Sequence, residues 1–288
     1  MTTPKVSFEF FPPKSLSASF QLWDTMQTLS PLSPEFMSVT YGAGGTTRAL
    51  THDTVTALSQ HSATPIAAHL TCVNATIEDT KSIVDTYSKA GIRQFVALRG
   101  DAPKGTTRFE PHPDGFKDTC DLISHMKDWG DFKIRVGAYP EKHPDAAHAV
   151  QDVLWLKEKF NAGADEALTQ FFFEADTFLR FRDRCAKAGI DAPIIPGILP
   201  IENFQNCAKF AKTCGAHVPN WLADAFETAK RDNREDLLAL ATATELISTL
   251  QTEGVNEFHF FTLNKPDLTL NICRAIGVKE QLHLSAVA

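Results

Sequence analysis

The chain has 288 residues, 43% of them apolar, and a formal net charge of −7 with the two signs interspersed. That is enough material for one large core or two small ones, and it excludes a basic surface built for nucleic acid or anionic lipid. No apolar run is long enough to span a bilayer, and the opening MTTPKVSFEF lacks the basic and apolar regions of a secretory signal, so a soluble cytoplasmic protein is expected.

The first element is VSFEFFPPK, residues 6–14, an aromatic and β-branched run that stops at a double proline. Alternation places Val6, Phe8 and Phe10 on one face and Ser7, Glu9 and Phe11 on the other. A carboxylate between two phenylalanines needs a partner, a raised pKa or open water. Further strand patterns follow at 36–41, 65–70, 94–99, 133–138, 166–171, 192–198 and 257–261. Helical patterns separate them, at 20–29, 49–60, 77–89, 116–128, 146–161, 176–188 and 202–213. Gly91, Gly163 and Gly189 each stand where a helix must turn back into a strand. Eight buried-looking strands alternating with helices predict one closed (β/α)8 barrel, with a doubly wound open sheet as the rival arrangement. Two helical patterns, 219–230 and 233–253, precede the last strand where the repeat calls for one, so an extra helix is expected beside the barrel mouth. No linker marks a second domain, and the tail after Gly277 is expected to be loosely held.

Chemistry in such a barrel gathers at the C-terminal ends of the strands. There the sequence places Glu9; Thr40 and Tyr41; His69; Arg99, Gly100 and Asp101; Tyr139, Glu141 and His143; Gln170; Gly197; and Thr262, Asn264 and Lys265. Polar residues at nearly every strand end point to a site. The Gly42–Thr47 loop has Thr47 where a dinucleotide fingerprint has its third glycine, so a βα loop closing over a ligand is as good a reading. Tyr41 and Arg99 are the expected neighbours of His69. The spacing of His143 and His148 does not favour a shared metal, and six scattered cysteines without a C-x-x-C pair argue against zinc or dithiol chemistry. An aromatic, an imidazole, a carboxylate and a lysine around Tyr139, His143, Asp152 and Lys159 suit a dinucleotide. Gln170 followed by three phenylalanines suits a flat ligand, or simply a phenylalanine-rich core strand.

Read together, VSFEFFPPK, SVTYGA, AAHLTC, VALRGD, AYPEKHP, LTQFFFEADTFLRFRDRC, PGILPIENF and FHFFTLN closely resemble the bacterial 5,10-methylenetetrahydrofolate reductases, in order and from Val6 to Gly277. The resemblance is to the short form, a single catalytic barrel. It implies an FAD-containing (β/α)8 enzyme that takes a hydride from NADH or NADPH, NADH being preferred. The hydride passes through flavin N5, in ping-pong fashion, to 5,10-methylenetetrahydrofolate. It makes Glu9 the general acid and sets Asp101 beside flavin and pterin. Thr40, Tyr41, Ala43, His69, Arg99, Gly100, Tyr139, His143, Asp152 and Lys159 become flavin contacts, joined there by Asp101. Gln170 and Phe210 fall to the shared substrate site, as do Glu9 and Asp101, with Asn206 and Lys265 on the folate side. A homo-tetramer or dimer is expected on the same ground.

The sequence departs from that pattern in a few places. Trp155 and Glu158 replace a polar and a basic residue near the cofactor, Asn206 replaces a glutamine, and Lys265 replaces an arginine, losing its bidentate fork. The 102–115 loop is longer than its counterpart. The aromatic setting of Glu9 is expected to raise its pKa toward working pH, so that it can protonate N10 and open the imidazolidine ring to an iminium cation. Asp101 is expected to stabilise that cation. From the residues alone, two other readings stand: a folate- or nucleotide-binding barrel without turnover, and a cofactor-free lyase using Glu9 and Asp101 as acid and base.

Overall fold

The computed structural model describes residues 3–40, 48–100, 110–143, 145–146 and 148–281. Eight parallel strands close on themselves: β1 (Lys5–Phe10), β2 (Met37–Val39), β3 (Ile66–Thr71), β4 (Gln94–Leu98), β5 (Lys133–Ala138), β6 (Glu166–Phe171), β7 (Ile194–Ile198) and β8 (Glu257–Phe261). Pairing of β1 with β8, Ser7 opposite His259 and Glu9 opposite Phe261, completes the ring and excludes the open doubly wound sheet.

Among the described residues ten α-helices surround the barrel: α1 (Leu16–Leu29), α2 (Arg48–His61), α3 (Ile77–Lys89), α4 (Thr119–Trp129), α5 (Ala149–Asn161), α6 (Ala175–Lys187), α7 (Phe204–Cys214), α8 (Asn220–Arg231), α9 (Glu235–Thr252) and α10 (Pro266–Ala275). Local chemistry sets their starts. Thr76 and Asp79 form a capping box on α3, and Asn203 accepts from the Asn206 N–H to cap α7. The expected supernumerary helix is α8, tied to α7 by the stacked rings of Phe204 and Phe226, 4.8 Å apart. The sequence reading missed α10, whose first turn begins at Pro266. The chain just beyond Gly277 is also better held than expected. Val278 is buried and donates to Cys273 O, and the Gln281 N–H reaches Pro31 O.

Alternation along the strands separates a core outside the barrel from one inside it. Val6, Phe8 and Phe10 face the helices in the larger one. Inside the barrel, Phe36, Ala67, Val96, Leu168 and Ile195 form a smaller plug. Arg135, 2% exposed along its side chain, lies on the Phe36 ring at 3.5 Å and donates to Glu166 and Gln94. This buried ion pair fills the barrel below the site.

Candidate active site

Glu9 is the centre of the described mouth. Its carboxylate projects into the barrel, 15% exposed, with His69 Nε2 and His259 Nε2 each 3.5 Å from Oε2. Both imidazoles are buried, and His259 stacks on Phe36. Ser7 Oγ lies 2.8 Å from His259 Nδ1. With Ser7 donating to Nδ1, the Nε2 proton of His259 faces Glu9, which is the tautomer a carboxylate favours. The Glu9 backbone is fixed as well, because Thr262 Oγ1 and the Thr262 N–H both donate to its carbonyl, at 2.7 and 3.2 Å. Asn264, at φ 55°, bonds the Phe11 backbone in both directions and ties the ends of β1 and β8 together.

This corrects the expected acidity of Glu9. Burial pushes the carboxyl up, but the two imidazoles outweigh burial and hold it below its usual value. Sequence neighbours could not reveal them, since they arrive from β3 and β8. Burial brings His69 down to about 4, so it is neutral at physiological pH. The expected partners of His69 are corrected in part. Glu9 and His259 lie beside it, while Arg99 sits a level higher and pairs with Asp145 at 2.6 Å. Tyr41, Ala43 and Asp101 lie outside the described residues, as does the Gly42–Thr47 loop.

A second region lies to one side. A cavity of about 410 Å³, ordinary for a small-molecule site, opens between the tops of β3 to β5 and the helices α4 and α5. Arg99, Gly100, Tyr139, His143, Asp152 and Lys159, six of the expected flavin contacts, line it. Thr40, just after β2, and His69, on β3, stand outside that lining. The φ of Gly100 is +85°, and a Cβ there would meet Val73 at 2.6 Å, so glycine is required. Gly137 leaves its side of the cavity open, with Leu98 at ordinary contact distance from a built Cβ. Lys159 Nζ donates to Gly137 O, and burial lowers its pKa to about 8. Asp152 accepts from the His143 N–H, and His143 packs edge-on between Tyr139 and Trp155. Among the described residues no three His, Cys, Asp or Glu side chains converge as metal ligands.

The expected substrate residues form a third wall. In β6 the pairing with β7 shifts register between Leu168 and Phe171, and within that shift Gln170 Oε1 accepts from the Phe171 N–H. Phe210 on α7, 41% exposed, stacks on Phe171 with centroids 5.4 Å apart. Asn206 lies one turn earlier on α7, also exposed. Lys265 Nζ stands 3.8 Å from Glu202, joining the loops after β7 and β8. Sequence reasoning passed over His259 and Asp145. Period-two alternation in EFHFF puts Glu257, His259 and Phe261 on one face, a signal that was available for the first.

The methylenetetrahydrofolate reductase family model matches residues 2–277. The chain belongs to that family. Among methylenetetrahydrofolate reductases, the Salmonella typhimurium and Escherichia coli 5,10-methylenetetrahydrofolate reductases are each 43% identical over 278 residues, covering 96% of this chain and 92% of theirs. The Arabidopsis thaliana methylenetetrahydrofolate reductase (NADH) 1 is 36% identical, over 97% of this chain and 49% of that one. The fold also superposes, with a TM-score of 0.63 at 16% identity, on a Clostridium thermocellum protein that binds two copies of 5-methyl-5,6,7,8-tetrahydrofolic acid. That match covers 96% of this chain and 93% of the other.

Proposed function

We propose that this protein is a 5,10-methylenetetrahydrofolate reductase, moving a hydride from NADH or NADPH to the folate with FAD as its cofactor. The observation that carries the reading is one carboxylate, Glu9, held between two buried imidazoles at a barrel mouth that also carries a side cavity of about 410 Å³. The cavity's residues suit FAD. Gly137 leaves room, Lys159 offers an ammonium with one described hydrogen bond, and Tyr139 and His143 offer rings. A flavin held there would supply the chemistry the side chains lack, accepting and returning a hydride.

The chain's own residues handle the substrate and the proton. Gln170 supplies an amide for the edge of a pterin, and Phe210 with Phe171 a ring surface to cover it. Lys265 is placed for a folate carboxylate, and Asn206 for a polar contact on the same side. Glu9 delivers a proton to N10, opening the imidazolidine ring to the iminium that accepts the hydride. In the free protein the imidazole N–H groups favour its anion, so proton uptake has to accompany binding. A folate covering Glu9 removes its remaining contact with water, which strengthens the burial that already pushes its pKa up. Asp101 is assigned to the developing cation, and the preference for NADH and assembly into a tetramer or dimer are proposed on family grounds.

The test is an anaerobic visible spectrum of the FAD-loaded protein. Bleaching with NADH and recovery on adding 5,10-methylenetetrahydrofolate is the expected result. A protein that binds no flavin and ignores NADH would overturn the reading.

A further inference from the structure

We infer that Glu202 is a resident counter-ion for Lys265, competing with a folate carboxylate for the ammonium and so setting how tightly the substrate binds. The inference rests on the assignment of Lys265 to a folate carboxylate, and it adds a residue that works against that contact.

The two side chains come from neighbouring loops at the barrel mouth. Glu202 lies between β7 and α7, with its N–H donating to Pro200 O. Lys265 follows β8 and caps the start of α10, with its N–H donating to Thr262 O. Thr262 also donates to the Glu9 carbonyl, so Lys265 is tied to the strand ends that hold Glu9. Its Nζ stands 3.8 Å from Glu202 Oε2, and among the described residues neither side chain makes another ion pair. The Lys265 side chain is 51% exposed and that of Glu202 23%. The ammonium is therefore the outer member, and a carboxylate arriving from solvent can take it.

The resident pair is weak enough to exchange. An ion pair with one partner half exposed gains little, on the scale of other surface pairs. Burial pushes the Glu202 carboxyl up, Lys265 does not make up the difference, and Asp267 in the first turn of α10 adds a like charge. An ammonium has three donors and can reach two carboxylates, but the two negative charges then repel each other. A folate carboxylate that takes Lys265 either displaces Glu202 or binds against its charge, and both lower affinity. A helper role has the opposite sign. If Glu202 served only to aim Lys265, removing its charge would weaken the folate.

The experiment uses the FAD-loaded full-length protein as wild type, Glu202→Gln, Lys265→Gln and the double variant. Anaerobic calorimetric titration with tetrahydrofolate, which carries the glutamate carboxylates and no transferable carbon, gives the affinity. Stopped-flow reoxidation of the reduced flavin by 5,10-methylenetetrahydrofolate gives the half-saturating concentration apart from the limiting rate. Glu202→Gln is expected to tighten tetrahydrofolate and lower the half-saturating concentration about two- to fivefold, the scale of a partly exposed ion pair, with the limiting rate near wild type. Lys265→Gln should weaken both about tenfold, and adding Glu202→Gln to it should change nothing further. Circular dichroism and melting temperature confirm that each variant folds. Weaker or unaltered binding in Glu202→Gln, with Lys265→Gln weakened as expected, would overturn the competition and leave the Lys265 assignment standing. So would the same tightening in the Lys265→Gln background, because Glu202 would then act without Lys265. Wild-type affinity in Lys265→Gln would remove the Lys265 assignment and the competition with it.

Discussion

His259 places its Nε2 3.5 Å from the Glu9 carboxylate. Its other nitrogen shares a 2.8 Å hydrogen bond with Ser7, which stands opposite it in the β1–β8 register. The ring of strands closes at this pair, so closure of the barrel also brings His259 against Glu9. A carboxylate in the middle of an aromatic strand is thereby held ionised.

Burial of His69 makes stability pH-dependent. The His69 pKa falls from an ordinary 6.5 in the unfolded chain to about 4 in the fold. Between those values the unfolded state binds more protons, so stability falls as pH drops from 6.5 toward 4. A shift of that size amounts to about 3 kcal/mol. Denaturant unfolding at pH 7 and pH 4.5 should show the loss, and His69→Gln should remove most of it. Equal pH slopes in the two proteins would contradict this account of His69.

Much of this was legible in the sequence, for identifiable reasons. The βα rhythm and its glycine stops gave eight strands in the right order, because parallel strands buried on both faces read as apolar runs. The side cavity collects Arg99, Gly100, Tyr139 and His143 from strand ends and the loops after them, and Asp152 and Lys159 from α5. The acidity of Glu9 was not legible. It depends on His69 and His259, which are 60 and 250 residues away in the chain and meet Glu9 only when the barrel closes. Asp145, which engages Arg99, was hidden for the same reason, and α10 because its proline start reads as a stop.

Below the site, Arg135 depends on Glu166. The guanidinium is buried on Phe36, with Glu166 2.8 Å away as its carboxylate. Glu166→Ala strands that charge and should cost about 3–5 kcal/mol. Chemical denaturation measures it. A loss below about 1 kcal/mol, typical of a surface pair, would show that the floor is not rigid.

Lys159 should give FAD binding a basic limit. Its pKa of about 8 means that the ammonium is lost as pH rises through that value, and with it the attraction for a diphosphate. FAD affinity is expected to fall between pH 7.5 and pH 9.5. Lys159→Met should bind weakly throughout and show no such fall. A flat wild-type profile would place the diphosphate elsewhere.

Phe210 should matter to substrate and little to folding. It is 41% exposed and stacks on Phe171. Phe210→Ala should raise KM for the folate about tenfold, the scale of a lost aromatic contact, while the melting temperature stays within a few degrees. A large fall in stability with KM unchanged would make it a packing residue.

The most direct test of the central claim separates the two half-reactions in Glu9→Gln. Glutamine keeps the shape between His69 and His259 but has no proton to give. Anaerobic stopped-flow should find flavin reduction by NADH close to wild type, and reoxidation by 5,10-methylenetetrahydrofolate slower by about 10²–10⁴-fold, the range of general acid catalysis. Equal losses in both half-reactions, or reoxidation at the wild-type rate, would contradict the assignment of Glu9 as the proton donor.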